Sequence, residues 1–346
     1  MPLKLLVLCR TYGPAFAPHE IVTRAAPLAA SAIFAAYMPF CTASIQPTVP
    51  RADAQTRMAE LWEEPRNVES RDMIYGPWGR AFAPNTQETF TFSRPKSHGV
   101  SPGFEVKDAE GREWSVKFGD EGHVEVFLSR ILSALGYHQP PVYYVDAFAL
   151  HDERGTHPRF PGARFRPKKV PDLKELGDWS WQRNPFVGTK PYQGLLVTLL
   201  LFNSSDLKNS NNSLFEYRGG GKKEARYVVR DLGTALGETG RLDPKRNDPD
   251  LFAKLRFIKR VDKDGFVEFS YHGWHQELYL ERITADDVKW TCDWLARLTD
   301  RQWSDAFKSA GYDDETASKF LTTIKQRIDQ GRTLRSEKFL LTTKPD

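Results

Sequence analysis

Asn203-Ser-Ser-Asp-Leu-Lys-Asn-Ser-Asn-Asn-Ser-Leu-Phe215 decides how this chain is read. It places a carboxylate at Asp206, a cation at Lys208 and an amide at Asn211 in one short polar loop, directly after a run at 192–203 that is apolar nearly all round and reads as a buried helix. An Asx-rich turn after such a helix is also a simple structural solution, because Asn and Asp satisfy local backbone groups. What argues for more is Val228-Val-Arg-Asp-Leu-Gly233, an apolar strand that ends on an acid. Burying Asp231 there with no cation opposite would be costly.

Working outward, 87–93, 104–108 and 113–118 read as three short strands, the last ending in Trp114-Ser-Val-Lys117. A helix follows, with Val124, Phe127, Leu128, Ile131, Leu132 and Leu135 at helical spacing and Gly136 as its stop. Glu125 lies on that helix and is expected to pair with Lys117, with Glu121 as a competing partner. An apolar strand is expected within 140–150. The basic, Pro- and aromatic-rich stretch 151–190 reads as irregular surface apart from a strand at 163–166. A hairpin is expected between Asn211 and Asp231, a helix and strand pair near 250–271, and helices through 284–332 with N-caps at Thr284 and Asp313.

The order strand-Lys, helix-Glu, Asp206-Leu-Lys-x-x-Asn211, hairpin, Asp231-Leu-Gly resembles the protein-kinase-like superfamily, in its divergent HipA-type, secreted Fam20-type and spore-coat CotH-type branches. More closely, Val116-Lys-Phe-Gly-Asp-Glu121, Trp179-Ser-Trp-Gln-Arg-Asn-Pro-Phe186 and Asp206-Leu-Lys-Asn-Ser-Asn-Asn212 resemble a bacterial family of predicted exported proteins with no established substrate. The resemblance covers roughly 60–332 and implies an α+β, two-lobed protein-kinase-like fold, with a small antiparallel-sheet N-lobe and a mainly helical C-lobe. It implies ATP and Mg2+ or Mn2+ as cofactors. Lys117 and Glu125 would place the nucleotide, Asn211 and Asp231 would hold the metal, Asp206 would orient the acceptor hydroxyl, and Lys208 would steady the transferring phosphoryl group. The loop between the first two strands departs from a glycine repeat: either its backbone around Gly99 cradles phosphate or Arg94 or Lys96 contacts it directly. Ser204-Ser205 stands where His-Arg ordinarily precedes the aspartate, and no Ala-Pro-Glu follows Asp231-Leu-Gly. The acceptor stays open among protein, small molecule and glycan.

Composition excludes some partners. With 49 basic against 45 acidic residues the formal charge of +4 is too small to argue for nucleic acid, and 40% apolar residues suffice for a core. Cys9, Cys41 and Cys292 are too far apart for a metal or redox motif, and Cys292 reads as a buried thiol. His272-Gly-Trp-His275 has no zinc-ligand spacing and reads as structural. An uncharged apolar run at 25–43 before Ala52-Asp-Ala54 reads as an export signal, as a mis-assigned start or disordered leader, the mis-assigned start leaving the protein in the cytoplasm, or as a retained anchor; its two prolines and many alanines argue against a stable membrane span. The expected layout is therefore leader 1–54, linker 55–85, N-lobe 86–150, C-lobe 151–335 and tail 336–346. A catalytically inactive nucleotide- or partner-binding module of the cell envelope and an AMP transferase are the alternatives to a phosphotransferase.

Overall fold

Strand alternation builds the first half of the molecule. In the computed structural model, which describes residues 52–334 apart from 97–100, 222 and 242–243, β1 (Thr89–Pro95), β2 (Gly103–Lys107) and β3 (Glu113–Lys117) pair antiparallel in succession. The leader, Gly99 and the tail 336–346 named above fall outside the described residues, Ala52-Asp-Ala54 excepted. Helix α1 (Asp120–Ala134) follows through Gly119, whose φ of 88° is one that only glycine adopts without strain. Then come β4 (Tyr143–Asp152) and β5 (Gly155–Pro167). The five strands form a closed barrel in the order β1-β2-β3-β5-β4, sealed by a parallel pairing of 89–91 with 149–151. Phe90, Phe148 and Phe165 fill it, their ring centroids 5.0–5.9 Å apart.

A three-stranded antiparallel sheet, β6 (Leu173–Gly177), β7 (Asn212–Tyr217) and β8 (Glu224–Val229), includes the expected hairpin. Around it lie α2 (Lys190–Leu201), α3 (Pro249–Lys254), the strand pair β9 (Ile258–Val261) and β10 (Val267–Phe269), and α4 (Ala285–Leu295), α5 (Asp300–Ser309) and α6 (Asp314–Arg332). The molecule is thus a mixed α+β protein, with six α-helices among the described residues. Thr284 and Asp313 cap α4 and α6 by accepting from the backbone N–H groups of Asp287 and Thr316.

Two stretches differ from the sequence reading: 55–85, and 151–190, which reads as irregular surface but also holds β6, buries Trp179, Trp181 and Phe186 in the core and supplies β5 to the barrel beyond the expected N-lobe end at 150. Residues 155–167 form one long strand, not a short one at 163–166, because Phe160, Ala163 and Phe165 face the barrel while Pro158 and Pro161 sit where only β4 pairs with it. Proline cannot donate to a ladder and is tolerated on such an open edge. The stretch 55–85, expected as a linker, instead lies on the helical core through Leu61, Val68 and Met73, with a 3₁₀ turn at Met58–Glu60. Trp62 donates to Leu135 O at 2.7 Å and meets Trp290 edge-on, and Gln302 donates to Val68 O at 2.7 Å. All described residues belong to one compact unit.

Helix α2 is buried on every side, and one side chain fixes its end. Arg327 donates to Leu201 O, to Asn203 Oδ1 at 3.0 Å and to the Phe252 and Leu255 carbonyls at 2.8 Å each, so one buried guanidinium closes the helix C-terminus. Burial lowers its pKa to about 9. Cys292 is buried against Gly331, and its thiol is pushed up to about 12.

Gly194 shows which force decides the α2–α4 contact. A Cβ there would lie 2.3 Å from Trp290 Cζ3. Alanine gains about 1 kcal/mol of helix propensity over glycine, but overpacking costs about 1–3 kcal/mol. Gly194→Ala is expected to lower the urea midpoint; a raised midpoint would show that Trp290 yields freely.

Candidate functional site

The residues singled out in the sequence are delivered by different elements to one cleft of about 800 Å³. Lys96, Lys117, Asp206, Lys208, Asn211 and Asp231 all line it. The pleat of β3 accounts for Lys117: Trp114 and Val116 point into the barrel, so Ser115 and Lys117 point out. On α1, Glu121 and Glu125 are one turn apart and face the same way.

Both carboxylates reach Lys117. Its Nζ lies 2.5 Å from Glu121 Oε2, 3.8 Å from Glu125 Oε2 and 3.2 Å from Asp231 Oδ1. Burial alone would lower the Lys117 ammonium, but Glu125, Asp231 and Glu121 outweigh it and hold it above its ordinary value. Glu125 is only 2% exposed, and Arg166 donates to it while the Arg164 guanidinium stands 3.4 Å away. Burial would raise its pKa, yet Arg164, Arg166 and Lys117 keep it well below the usual carboxylate range. Desolvation and the cations of Lys117 and Arg164 lower the Lys96 ammonium at the cleft edge.

The loop after α2 is held by its own backbone and by distant chain. Asn203 takes a left-handed conformation at φ 58°, which turns the chain out of the helix. Ser205 N donates to Thr234 O at 3.2 Å, Asn211 Nδ2 to Asp206 O at 2.8 Å, and Arg230 N to Asn211 O at 2.8 Å. These bonds stitch the Asp206 loop to the strand that presents Asp231. Lys208 Nζ is 2.9 Å from Asp206 Oδ1 but outside hydrogen-bond geometry, so that buried oxygen accepts no hydrogen bond. Asp231 is itself left-handed at φ 51°, a strained state for a non-glycine residue of the kind that gathers at functional sites.

Ser204 and Ser205 are nearly fully buried. Their carbonyls accept from the Tyr271 hydroxyl at 2.6 Å and from Trp274 N–H at 3.3 Å. The segment His272-Gly-Trp-His275 is therefore a brace for the Asp206 loop, and Trp274 lines the cleft.

Sequence reasoning missed Arg164, Arg166, Arg230, Arg241, Arg246 and Trp274, all of which line the cleft. Arg164 and Arg166 carried a readable signal: two residues apart on a strand whose Phe165 faces the barrel, they must share the outer face. Arg241 and Trp274 carried none, since both sit in irregular chain.

Among the described residues no group of three or more His, Cys, Asp or Glu is placed to hold a metal ion. Asp231 and Asn211 both line the cleft, where Asp231 Oδ1 is paired with Lys117 Nζ and Asn211 Nδ2 donates to Asp206 O. No helix among the described residues is long and apolar enough to cross a membrane.

No family model matches the chain, and no curated protein matches it. Among solved structures it is similar to the Helicobacter pylori proinflammatory kinase CtkA, with 13% identity over 71% of this chain and 97% of that one and a TM-score of 0.42. At that score the likeness carries no weight in assigning fold or activity.

Glu125→Gln is expected to cost about 3–5 kcal/mol, the usual penalty for leaving buried cations without their carboxylate. Because the folded pKa of Glu125 lies below its ordinary 4.5, its contribution is present above about pH 4.5 and is lost as pH falls. Denaturation curves at neutral and acid pH would therefore converge for wild type and variant as pH drops. A constant gap would show that the charge is not the source.

Proposed function

We propose that this cleft is the active site of an ATP- and magnesium-dependent phosphotransferase, built on a two-lobed protein-kinase-like fold whose N-lobe is the barrel with α1 and whose C-lobe is the helical remainder. The single observation that carries the reading is the convergence of Lys117, Asp206, Asn211 and Asp231, from three separate stretches of chain, on one cleft. Phosphoryl transfer asks mainly for positioning and charge neutralisation, and these residue types supply both.

In this reading Lys117, held by Glu121 and Glu125, contacts the α- and β-phosphates, and Lys96 reaches the phosphates from the barrel edge. Asn211 and Asp231 would hold the metal; a bound magnesium ion neutralises phosphate charge. Asp206 orients the acceptor hydroxyl. The hydroxyl oxygen forms a new bond to the γ-phosphorus, the bond to the β–γ bridging oxygen breaks with its electron pair leaving on ADP, and the hydroxyl proton passes to the Asp206 carboxylate. Asp206 lines the cleft beside Lys208, whose Nζ lies 2.9 Å from Oδ1, and that placement supports the role. Lys208 balances charge on the transferring group.

The Lys117–Asp231 ion pair favours a second reading, a nucleotide- or partner-binding module without turnover, because a lysine that keeps the carboxylate competes with a metal. One experiment separates them. Wild type is expected to gain thermal stability with ATP plus magnesium or manganese and to move label from the γ-phosphate, while Asp231→Ala should lose transfer by on the order of a hundredfold or more. A shift without transfer would leave the binding module; an Asp231→Ala variant that transfers normally would remove the metal role.

A further inference from the structure

The phosphotransferase reading leaves the acceptor unnamed, and it makes no use of Trp274 or Arg241. Trp274 lines the cleft together with Asp206, Lys208 and Arg241. Its backbone is pinned to Ser205, immediately before Asp206, and the neighbouring His272 N–H donates to Thr239 Oγ1 at 3.2 Å, which ties the same turn to the loop that carries Arg241. The indole position is thus fixed relative to the proposed base.

Two cations flank the ring. Lys208 Nζ lies 5.0 Å and the Arg241 guanidinium carbon 5.8 Å from its centroid, distances at which the electron-rich face attracts positive charge. Arg241 donates through Nε to Gly273 O at 3.0 Å, and among the described residues no carboxylate pairs with it. A half-buried indole with two cations over its ring, beside a carboxylate suited to a hydroxyl, matches a small molecule with an apolar C–H face, hydroxyls at the rim and an anionic group.

Resting on the phosphotransferase reading, we propose that Trp274 and Arg241 form the acceptor subsite, and that the acceptor is a small polyol bearing a phosphate or carboxylate. The ring stacks on Trp274, the anion meets Arg241, and one hydroxyl faces Asp206. A cleft of about 800 Å³ lies within the roughly 300–1,000 Å³ of small-molecule sites, so donor and small acceptor share one enclosure. A neutral polyol would leave the Arg241 charge without a partner.

Binding to the full chain without nucleotide tests this, by calorimetry and saturation-transfer NMR with glucose, glucose 6-phosphate and gluconate. An anionic probe is expected to bind about tenfold or more tighter than glucose, the size of one charge-assisted hydrogen bond. Trp274→Ala and Arg241→Gln should each lose about tenfold, and Trp274→Phe should keep most of the affinity, with thermal melting used to confirm that each variant is folded. Equal binding of all three probes, binding of none, binding of an acidic peptide in their place, or affinity unmoved in folded variants would overturn the subsite. Because no nucleotide is present, these outcomes are independent of the phosphotransferase reading, which fails separately if wild type shows no shift with ATP and a divalent metal.

Discussion

Everything in the cleft depends on a carboxylate that water does not reach. Glu125 sits beneath β5 with Arg166 donating to it, Arg164 at 3.4 Å and Lys117 at 3.8 Å. Removing such a group from water is expensive, and only several cations in good geometry repay the cost. The arrangement therefore fixes three elements at once: α1, which carries the acid, and β3 and β5, which carry the bases. Lys117 then reaches Asp231, so the barrel is joined electrostatically to the strand that follows the Asp206 loop. A neutral contact of the same size would pack these elements together without specifying which residues face the cleft.

Much of this was legible because it is local. Lys117 at a strand end, two acids one turn apart on a helix, and a polar loop after an all-apolar helix are patterns of period 2 and 3.6, and each appears where its period predicts. The prolines in β5 hid a strand because their tolerance depends on which edge has a neighbour, a fact of three dimensions. The stretch 55–85 looked like a linker because its short turns have no period, yet Trp62 and Val68 are held by Leu135 and Gln302. The contribution of Arg327, four acceptors around one guanidinium, leaves no trace in its neighbours along the chain. Trp274 and Arg241 were hidden for the same reason.

The two serines before Asp206 illustrate a different kind of departure. In place of a basic side chain that would wait for a charged partner, the loop offers two backbone carbonyls already occupied by Tyr271 and Trp274. Its geometry is set by permanent hydrogen bonds within one compact unit.

The Tyr271, Trp274 and Arg327 anchors also bear on synthesis. A ribosome that has released the chain through Asp231 has delivered Lys117, Glu125, Asp206, Asn211 and Asp231, the residues proposed to bind and react. It has not yet made the tyrosine and tryptophan that brace the Asp206 loop, nor the arginine that closes the helix leading into it. The nascent protein thus holds those five side chains while lacking Arg241, Arg246 and Trp274 of the cleft and the anchors that aim the loop, and the set is complete only once α6 has been made.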